Sequence, residues 1–214
     1  MKNIRIVYID DQIDNIIGKY IKEKYCSHTH FKHPNIIKVY EEFEFESEKG
    51  YESVLASEKI RRANIILVDY HLYEERLANT GKFSGKQFKA MFRKLFPYVE
   101  VILITQDTSL EGSNIIQKFH CSENEASDTY YETKMDPILD IAIEKVLEYE
   151  SHVKDLSENK EIEKFLVEKI VQSFNGDSPY DMLSKKDIDE FITGFQQMRE
   201  SYEKKSWLSK YKHM

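Results

Sequence analysis

Acidic side chains stand directly after two apolar segments of this chain. Residues 65–69 read Ile-Ile-Leu-Val-Asp, and residues 4–11 read Ile-Arg-Ile-Val-Tyr-Ile-Asp-Asp. A continuous apolar run without alternation is typical of a strand that is buried on both faces of a parallel sheet. Asp69 and the pair Asp10 and Asp11 would then lie at the carboxyl ends of strands, where ligands bind in open α/β sheets. Taken alone, Asp69 could equally well cap the next turn.

A hydroxyl and a lysine are predicted at two further strand ends. Residues 99–105 form another apolar strand that ends at Thr105, and residues 128–133 are predicted as a short strand before Lys134. Carboxylates packed together raise each other's pKa unless a cation lies among them. Mg²⁺ prefers such oxygen ligands, and a lysine suits a phosphate or the free carboxylate. An aspartate in this setting can act as a nucleophile and become an aspartyl phosphate.

The elements that must position these residues alternate along the chain. A helix is predicted after each strand, and this alternation indicates a doubly wound α/β fold with a parallel sheet covered on both faces. The predicted strands are 4–9, 36–40, 65–69, 99–105 and 128–133, and the predicted helices are 13–21, 50–62, 88–95, 109–119 and 137–156.

Composition narrows the class of protein. The 214 residues carry a net charge of −7, which argues against a dominant nucleic-acid surface. No apolar run approaches the roughly 20 residues that span a bilayer. The sequence shows no signal peptide, and its two cysteines make no disulfide framework, so we expect a cytoplasmic protein without a membrane segment.

Residues 151–214 are predicted to form a helical extension that is separate from an α/β domain at residues 1–150. Apolar residues recur at helical spacing in 162–174 and in 188–202. The extension has 11 Lys and Arg against 12 Asp and Glu, a net charge of −1, and no helix-turn-helix pattern. We therefore expect it to contact a protein partner or a second copy of the chain rather than DNA.

The polar residues at the strand ends resemble the signature of the receiver domain of bacterial two-component response regulators. The resemblance covers roughly residues 3–150 and rests on Asp10-Asp11, Asp69, Thr105 and Lys134, which occur in that order. It implies a flavodoxin-like fold with strand order 2-1-3-4-5. It also implies a phosphoacceptor in a phosphorelay, with at most self-catalysed phosphotransfer and dephosphorylation, rather than an enzyme.

The resemblance implies a role for each acidic residue. Asp69 would accept a phosphoryl group from a phosphohistidine on a sensor histidine kinase or a phosphotransfer protein. Asp10, Asp11 and Asp69 would hold Mg²⁺, and the backbone carbonyl of His71 would complete the metal site.

It also implies how the signal would leave the site. Lys134 would pair with Asp69 and then with the phosphoryl oxygens, while Thr105 would move toward the phosphoryl group. Tyr131, three residues before Lys134, would be the aromatic switch that follows this movement. A half-buried strand aromatic without a switching role is the alternative for Tyr131.

Several positions depart from the pattern of the receiver family. Met135 follows the lysine where a proline is usual, Gln106 stands in place of a small residue, and Tyr73 replaces a common proline. The connection at residues 73–84 is also unusually long. These departures leave a second hypothesis open, in which the chain is an interaction scaffold that no longer switches. A DNA-binding transcriptional regulator is a third.

A cluster of one cysteine and three histidines lies outside this constellation. Imidazole and thiolate groups could bind Zn²⁺ or Cu²⁺. The spacing fits no standard metal site, and we expect a solvated loop instead. The cluster consists of Cys26, His28, His30 and His33.

Overall fold

A sheet of five parallel strands lies at the centre of the fold, in the order β2-β1-β3-β4-β5. The computed structural model describes residues 2–30, 32–45, 54–72, 84–120, 126–158 and 164–178. These residues all belong to a compact unit that spans residues 1–180. The predicted parallel sheet and its strand order are confirmed. The strands are β1 (Lys2–Asp10), β2 (Ile36–Glu44), β3 (Ile65–Asp69), β4 (Glu100–Thr105) and β5 (Ile115–Gln117).

Helices cover both faces of the sheet. One apolar layer contains side chains of α1, the π-helix, α4 and α5, and the other contains side chains of α2 and α3. The helices are α1 (Asn15–Tyr20), which continues as a π-helix (Ile21–Tyr25), α2 (Glu58–Arg61), α3 (Gly85–Leu95), α4 (Ser127–Lys134), α5 (Asp136–Glu158) and α6 (Lys164–Phe174).

The apolar runs in the sequence correspond to strands that are covered on both faces. Every residue of β3 and of β4 is buried, because both faces of these strands meet helices. Along β1, Ile6 and Tyr8 enter one apolar layer, while Val7 and Ile9 enter the other. This alternation follows from the period of two residues in a strand.

The fifth strand is not where the sequence predicted it. Residues 128–133 belong to helix α4, and residues 115–117, which were predicted to be helical, form β5. The strand has only three residues, so no hydrophobic period could develop within it. The aromatic pair Tyr130 and Tyr131 favoured a strand by propensity, yet both side chains are buried on a helix in the layer with α1 and α5.

The C-terminal predictions are only partly covered by the described residues. Helix α5 is continuous across residue 150, where a domain boundary was predicted, and α6 falls within the predicted helix at 162–174. The predicted helix at 188–202 and most of the connection at 73–84 lie outside the described residues. No helix in the described part of the chain is long and apolar enough to cross a membrane.

Candidate functional site

The carboxyl ends of β1, β3 and β5 meet around one lysine. Lys118 directly follows β5, and its Nζ donates to Asp10 Oδ2 at 3.1 Å and lies 2.9 Å from Asp69 Oδ1. Lys118, Asp10 and Asp69 are 8%, 2% and 6% exposed. A lysine this deeply buried needs partners of opposite charge, and the two aspartates provide them. All three residues line a cleft of about 920 Å³.

The structure places Lys118 where the sequence predicted Lys134. Lys134 is the last residue of α4 and is exposed, whereas Lys118 contacts Asp69. The prediction for Lys134 is therefore wrong, and its cause is the misassigned fifth strand. The signal that could have found Lys118 is the short apolar pair Ile115-Ile116, which follows β4 and stands just before it.

Tyr131 also has a different setting from the predicted one. It lies on helix α4 rather than on a strand, and its hydroxyl accepts a hydrogen bond from the backbone N–H of Phe119 at 3.0 Å. The residue three positions before Lys118 is Ile115, so the aromatic group that the resemblance implied does not stand there. Tyr131 instead anchors the backbone directly after the lysine.

Backbone contacts hold the two buried aspartates in place. Asp69 Oδ2 accepts from the N–H of His71 at 2.7 Å, and Asp10 Oδ1 accepts from the N–H of Gln12 at 3.1 Å. Asp10 Oδ2 accepts from the hydroxyl of Tyr8 as well as from Lys118. Asp10 therefore contacts three protein donors, and Asp69 contacts two.

Thr105 links β4 to the end of β5. It is fully buried, its Oγ1 accepts from the N–H of Asp107 at 3.0 Å, and its carbonyl accepts from the N–H of Lys118 at 2.7 Å. Gln106, which follows it, is exposed and lines the cleft. Thr105 thus lies at the predicted strand end, and the larger side chain of Gln106 lines the cleft beside it.

The electrostatics of the cleft are dominated by carboxylates. Burial raises the pKa of Asp69, although Lys118 counteracts this shift. Burial, followed by the hydrogen bond and the charge of Asp10, raises the pKa of Asp11 to about 6. Burial opposes the charge on Lys118, but Asp69 and Asp10 outweigh it, so the pKa of Lys118 is raised. The rim adds the carboxylates of Asp14, Glu44 and Asp107.

The donor set suits a hard divalent cation. Burial is the largest cause of the raised pKa of Asp11, and the charges of Asp10 and Asp69 add to it; a cation would neutralise that added negative charge. No group of three or more Asp, Glu, His or Cys side chains in the described residues has the arrangement of a metal site. Mg²⁺ commonly uses one or two carboxylates and completes its octahedron with water and other oxygens. Asp11 and Asp69 could supply those carboxylates, with the carbonyl of His71 as the further ligand.

No family model, curated protein or solved structure matches this chain. The structure shows the predicted strand order, and it brings Asp10, Asp69 and Lys118 together at the carboxyl edge of the sheet.

The cysteine and histidine cluster does not have the geometry of a metal site. His30 is buried, stacks on His33 with ring centroids 5.2 Å apart, and has its Nε2 3.7 Å from Asp140 Oδ1. Burial raises the pKa of the Cys26 thiol to about 11 and so disfavours the thiolate that metals bind. The prediction of a solvated loop is wrong for His30, because its side chain is buried against helix α5.

The raised pKa of Asp11 has a consequence for stability. A folded-state pKa of about 6 against an ordinary 3.8 means that the folded protein binds this proton more tightly than the unfolded chain does. Ionisation of Asp11 therefore lowers the free energy of unfolding. This loss is absent below the ordinary pKa and complete above about pH 6. Asp11→Asn should therefore raise the Tm of the protein in EDTA at pH 7 by about 2–4 °C, or roughly 1 kcal/mol after allowance for solvent screening.

Thermal melts at pH 5 and pH 7 check this expectation. The gain from Asp11→Asn should shrink at pH 5, where the wild-type carboxyl is largely protonated. Asp107→Asn is the control, because hydrogen bonds from Ser109 lower the pKa of Asp107 and that variant should not be stabilised. An equal gain from Asp11→Asn at both pH values would contradict the prediction.

Proposed function

We propose that this chain is a receiver-type phosphoacceptor of a two-component phosphorelay, in which Asp69 takes a phosphoryl group in the presence of Mg²⁺. The observation that carries the proposal is the bridge from Lys118 to Asp10 and Asp69. It lies at the carboxyl edge of a parallel sheet with the order 2-1-3-4-5. The donor would be a phosphohistidine on a sensor histidine kinase or a phosphotransfer protein.

The chemistry follows from the contacts of Asp69. Its carboxylate attacks phosphorus, a P–O bond forms, and the P–N bond of the phosphohistidine breaks with its electron pair returning to the imidazole. The His71 N–H holds Oδ2 while Lys118 holds Oδ1, so the carboxylate is fixed before it reacts. Lys118 is also placed to neutralise charge on the transferred group. A bound Mg²⁺ would add further charge neutralisation at the phosphoryl oxygens.

The output is proposed to be a contact with a protein. Phosphorylation would bias the surface around β4, β5 and their helices, and the C-terminal helices would carry this state to a partner or to a second copy of the chain. DNA binding is the weaker alternative, since the chain is acidic and its last 64 residues have a net charge of −1. A gel shift that weakens with salt would favour it.

Two features favour the second hypothesis, a receiver fold that serves as a scaffold without switching. Gln106 stands at the mouth of the cleft in place of a small residue, and Ile115 stands where the family's aromatic switch is expected relative to Lys118. A scaffold would keep the buried lysine bridge for stability alone. Phosphorylation of Asp69 separates the two hypotheses.

Intact-mass measurement after incubation with acetyl phosphate and Mg²⁺ tests the proposal. The wild type should gain the mass of one phosphoryl group, which hydroxylamine should remove because the product is an acyl phosphate. Asp69→Asn should gain none, and Asp107→Asn, which alters a half-buried carboxylate of the same cleft, should still gain it. An unmodified wild type, with either acetyl phosphate or beryllofluoride, would leave only the scaffold.

A further inference from the structure

We infer that Tyr8 is a positioning residue of the phosphoacceptor site, whose hydroxyl holds Asp10 so that Lys118 can follow the phosphoryl group. This inference rests on the proposed function. It names a residue that neither the acidic constellation nor the resemblance includes. Tyr8 would act on the reaction through Asp10 and Lys118 and would not touch the reacting atoms.

The placement of Tyr8 follows from the period of the strand. It stands two residues before Asp10 on β1, so both side chains leave the same face of the sheet. Tyr8 is fully buried in the apolar layer that also contains Ile6 and Ile17. A phenylalanine could fill this space equally well, so the hydroxyl is not needed for packing. A buried tyrosine hydroxyl generally finds a partner, and here that partner is Asp10.

Tyr8 and Lys118 donate to the same oxygen. Asp10 Oδ2 accepts from the hydroxyl of Tyr8 and from Lys118 Nζ, while Oδ1 accepts from the N–H of Gln12. Lys118 is thus shared between Asp10 and Asp69 before any reaction. The hydroxyl of Tyr8 carries its proton at neutral pH and so acts as the donor in this contact.

Phosphorylation of Asp69 would change which oxygens Lys118 contacts. Once Asp69 carries phosphoryl oxygens, their negative charge attracts the ammonium away from Asp10. A buried carboxylate oxygen that loses a donor is costly to leave unpaired. Tyr8 remains on that oxygen and thereby reduces the penalty. Without the hydroxyl, Asp10 would retain Lys118 more strongly, and every state in which Lys118 turns to the phosphoryl group would be disfavoured.

The test compares Tyr8→Phe with Tyr25→Phe in the full chain. Tyr25 is the matched control, because it is also buried and its hydroxyl donates to a carboxylate, Asp140, at 2.7 Å, on helix α5. With acetyl phosphate and Mg²⁺, Tyr8→Phe should be phosphorylated roughly tenfold more slowly than the wild type, the scale expected for one hydrogen bond to a charged group. Tyr25→Phe should react at the wild-type rate. Urea denaturation would verify that both variants are folded.

A spectroscopic readout separates positioning from a purely structural role. The side-chain ammonium resonance of Lys118, assigned by its loss in Lys118→Ala, should shift in Tyr8→Phe and stay in place in Tyr25→Phe. Slow phosphorylation with an unshifted resonance would overturn the inference, and so would a wild-type rate in Tyr8→Phe. These results would leave the proposed function intact if the wild type is modified at Asp69. A wild type that takes no phosphoryl group would overturn both.

Discussion

Replacement of Lys118 by alanine is expected to lower the free energy of unfolding by about 3 kcal/mol and to slow phosphorylation of Asp69. The substitution removes the lysine that bridges the two buried aspartates, and an uncompensated buried charge costs this much. Without Lys118, the pKa of Asp69 would rise further, so protonation should relieve part of the loss at low pH. Urea denaturation at pH 5 and pH 7 measures both effects.

Lys134→Ala is the matched control for this variant. Lys134 is exposed at the end of α4, so its removal should change stability by no more than about 0.5 kcal/mol and leave phosphorylation unchanged. The pair of variants discriminates between the lysine that the sequence predicted and the one that the structure brings to Asp69. A larger loss of phosphorylation in Lys134→Ala than in Lys118→Ala would contradict the placement of β5.

The second large effect is expected from Gly85→Ala. Gly85 begins helix α3, its N–H donates to the carbonyl of Tyr70, and a Cβ built on it would lie 2.1 Å from the carbonyl oxygen of Asp69. No side-chain rotation can relieve a clash with backbone, so α3 or the end of β3 must shift. Overpacking of this kind costs up to about 3 kcal/mol, against roughly 1 kcal/mol that alanine gains over glycine in a helix.

We therefore expect a net loss of about 2 kcal/mol in Gly85→Ala, together with slower phosphorylation, because the shift displaces the backbone of Asp69, the proposed acceptor. Gly112→Ala is the control, since the nearest atom to its Cβ is Cδ1 of Ile115 at 3.2 Å, the end of a flexible side chain. Chemical denaturation measures the stability of both glycine variants, and the acetyl phosphate assay measures their rates of phosphorylation. Full stability in Gly85→Ala would mean that α3 and β3 are not packed as closely as described.

Much of the site could be predicted because its strands are locally encoded. The segments ending at Asp10, Asp69 and Thr105 each have, directly before that last residue, four consecutive buried residues that are apolar or aromatic, and burial on both faces leaves no polar alternation there. Parallel strands direct their carboxyl ends to one edge, so the meeting of these residues followed from the sequence pattern. The alternation of strands and helices was sufficient for the fold class as well.

The lysine could not be predicted in the same way. Strand β5 is three residues long and exists through its pairing with β4, where Leu103, Ile104 and Thr105 lie opposite Ile115, Ile116 and Gln117. A partner strand of this kind leaves no periodic signal in its own sequence. The segment 128–133, with its adjacent tyrosines, resembled a strand locally, yet packing in the layer with α1 and α5 made it a helix.

The sequence by itself determined the sheet, its central strands and the acidic residues at their ends, because each buried strand is visible in the sequence as a run of consecutive apolar residues. Only the tertiary structure decided which lysine reaches Asp69, since long-range strand pairing brings Lys118 to that aspartate. Tyr8 lies within an apolar run, and nothing in that run indicates that its hydroxyl donates to Asp10. Contacts between residues distant in the chain, or hidden in a packing layer, are settled by three-dimensional packing rather than by pattern.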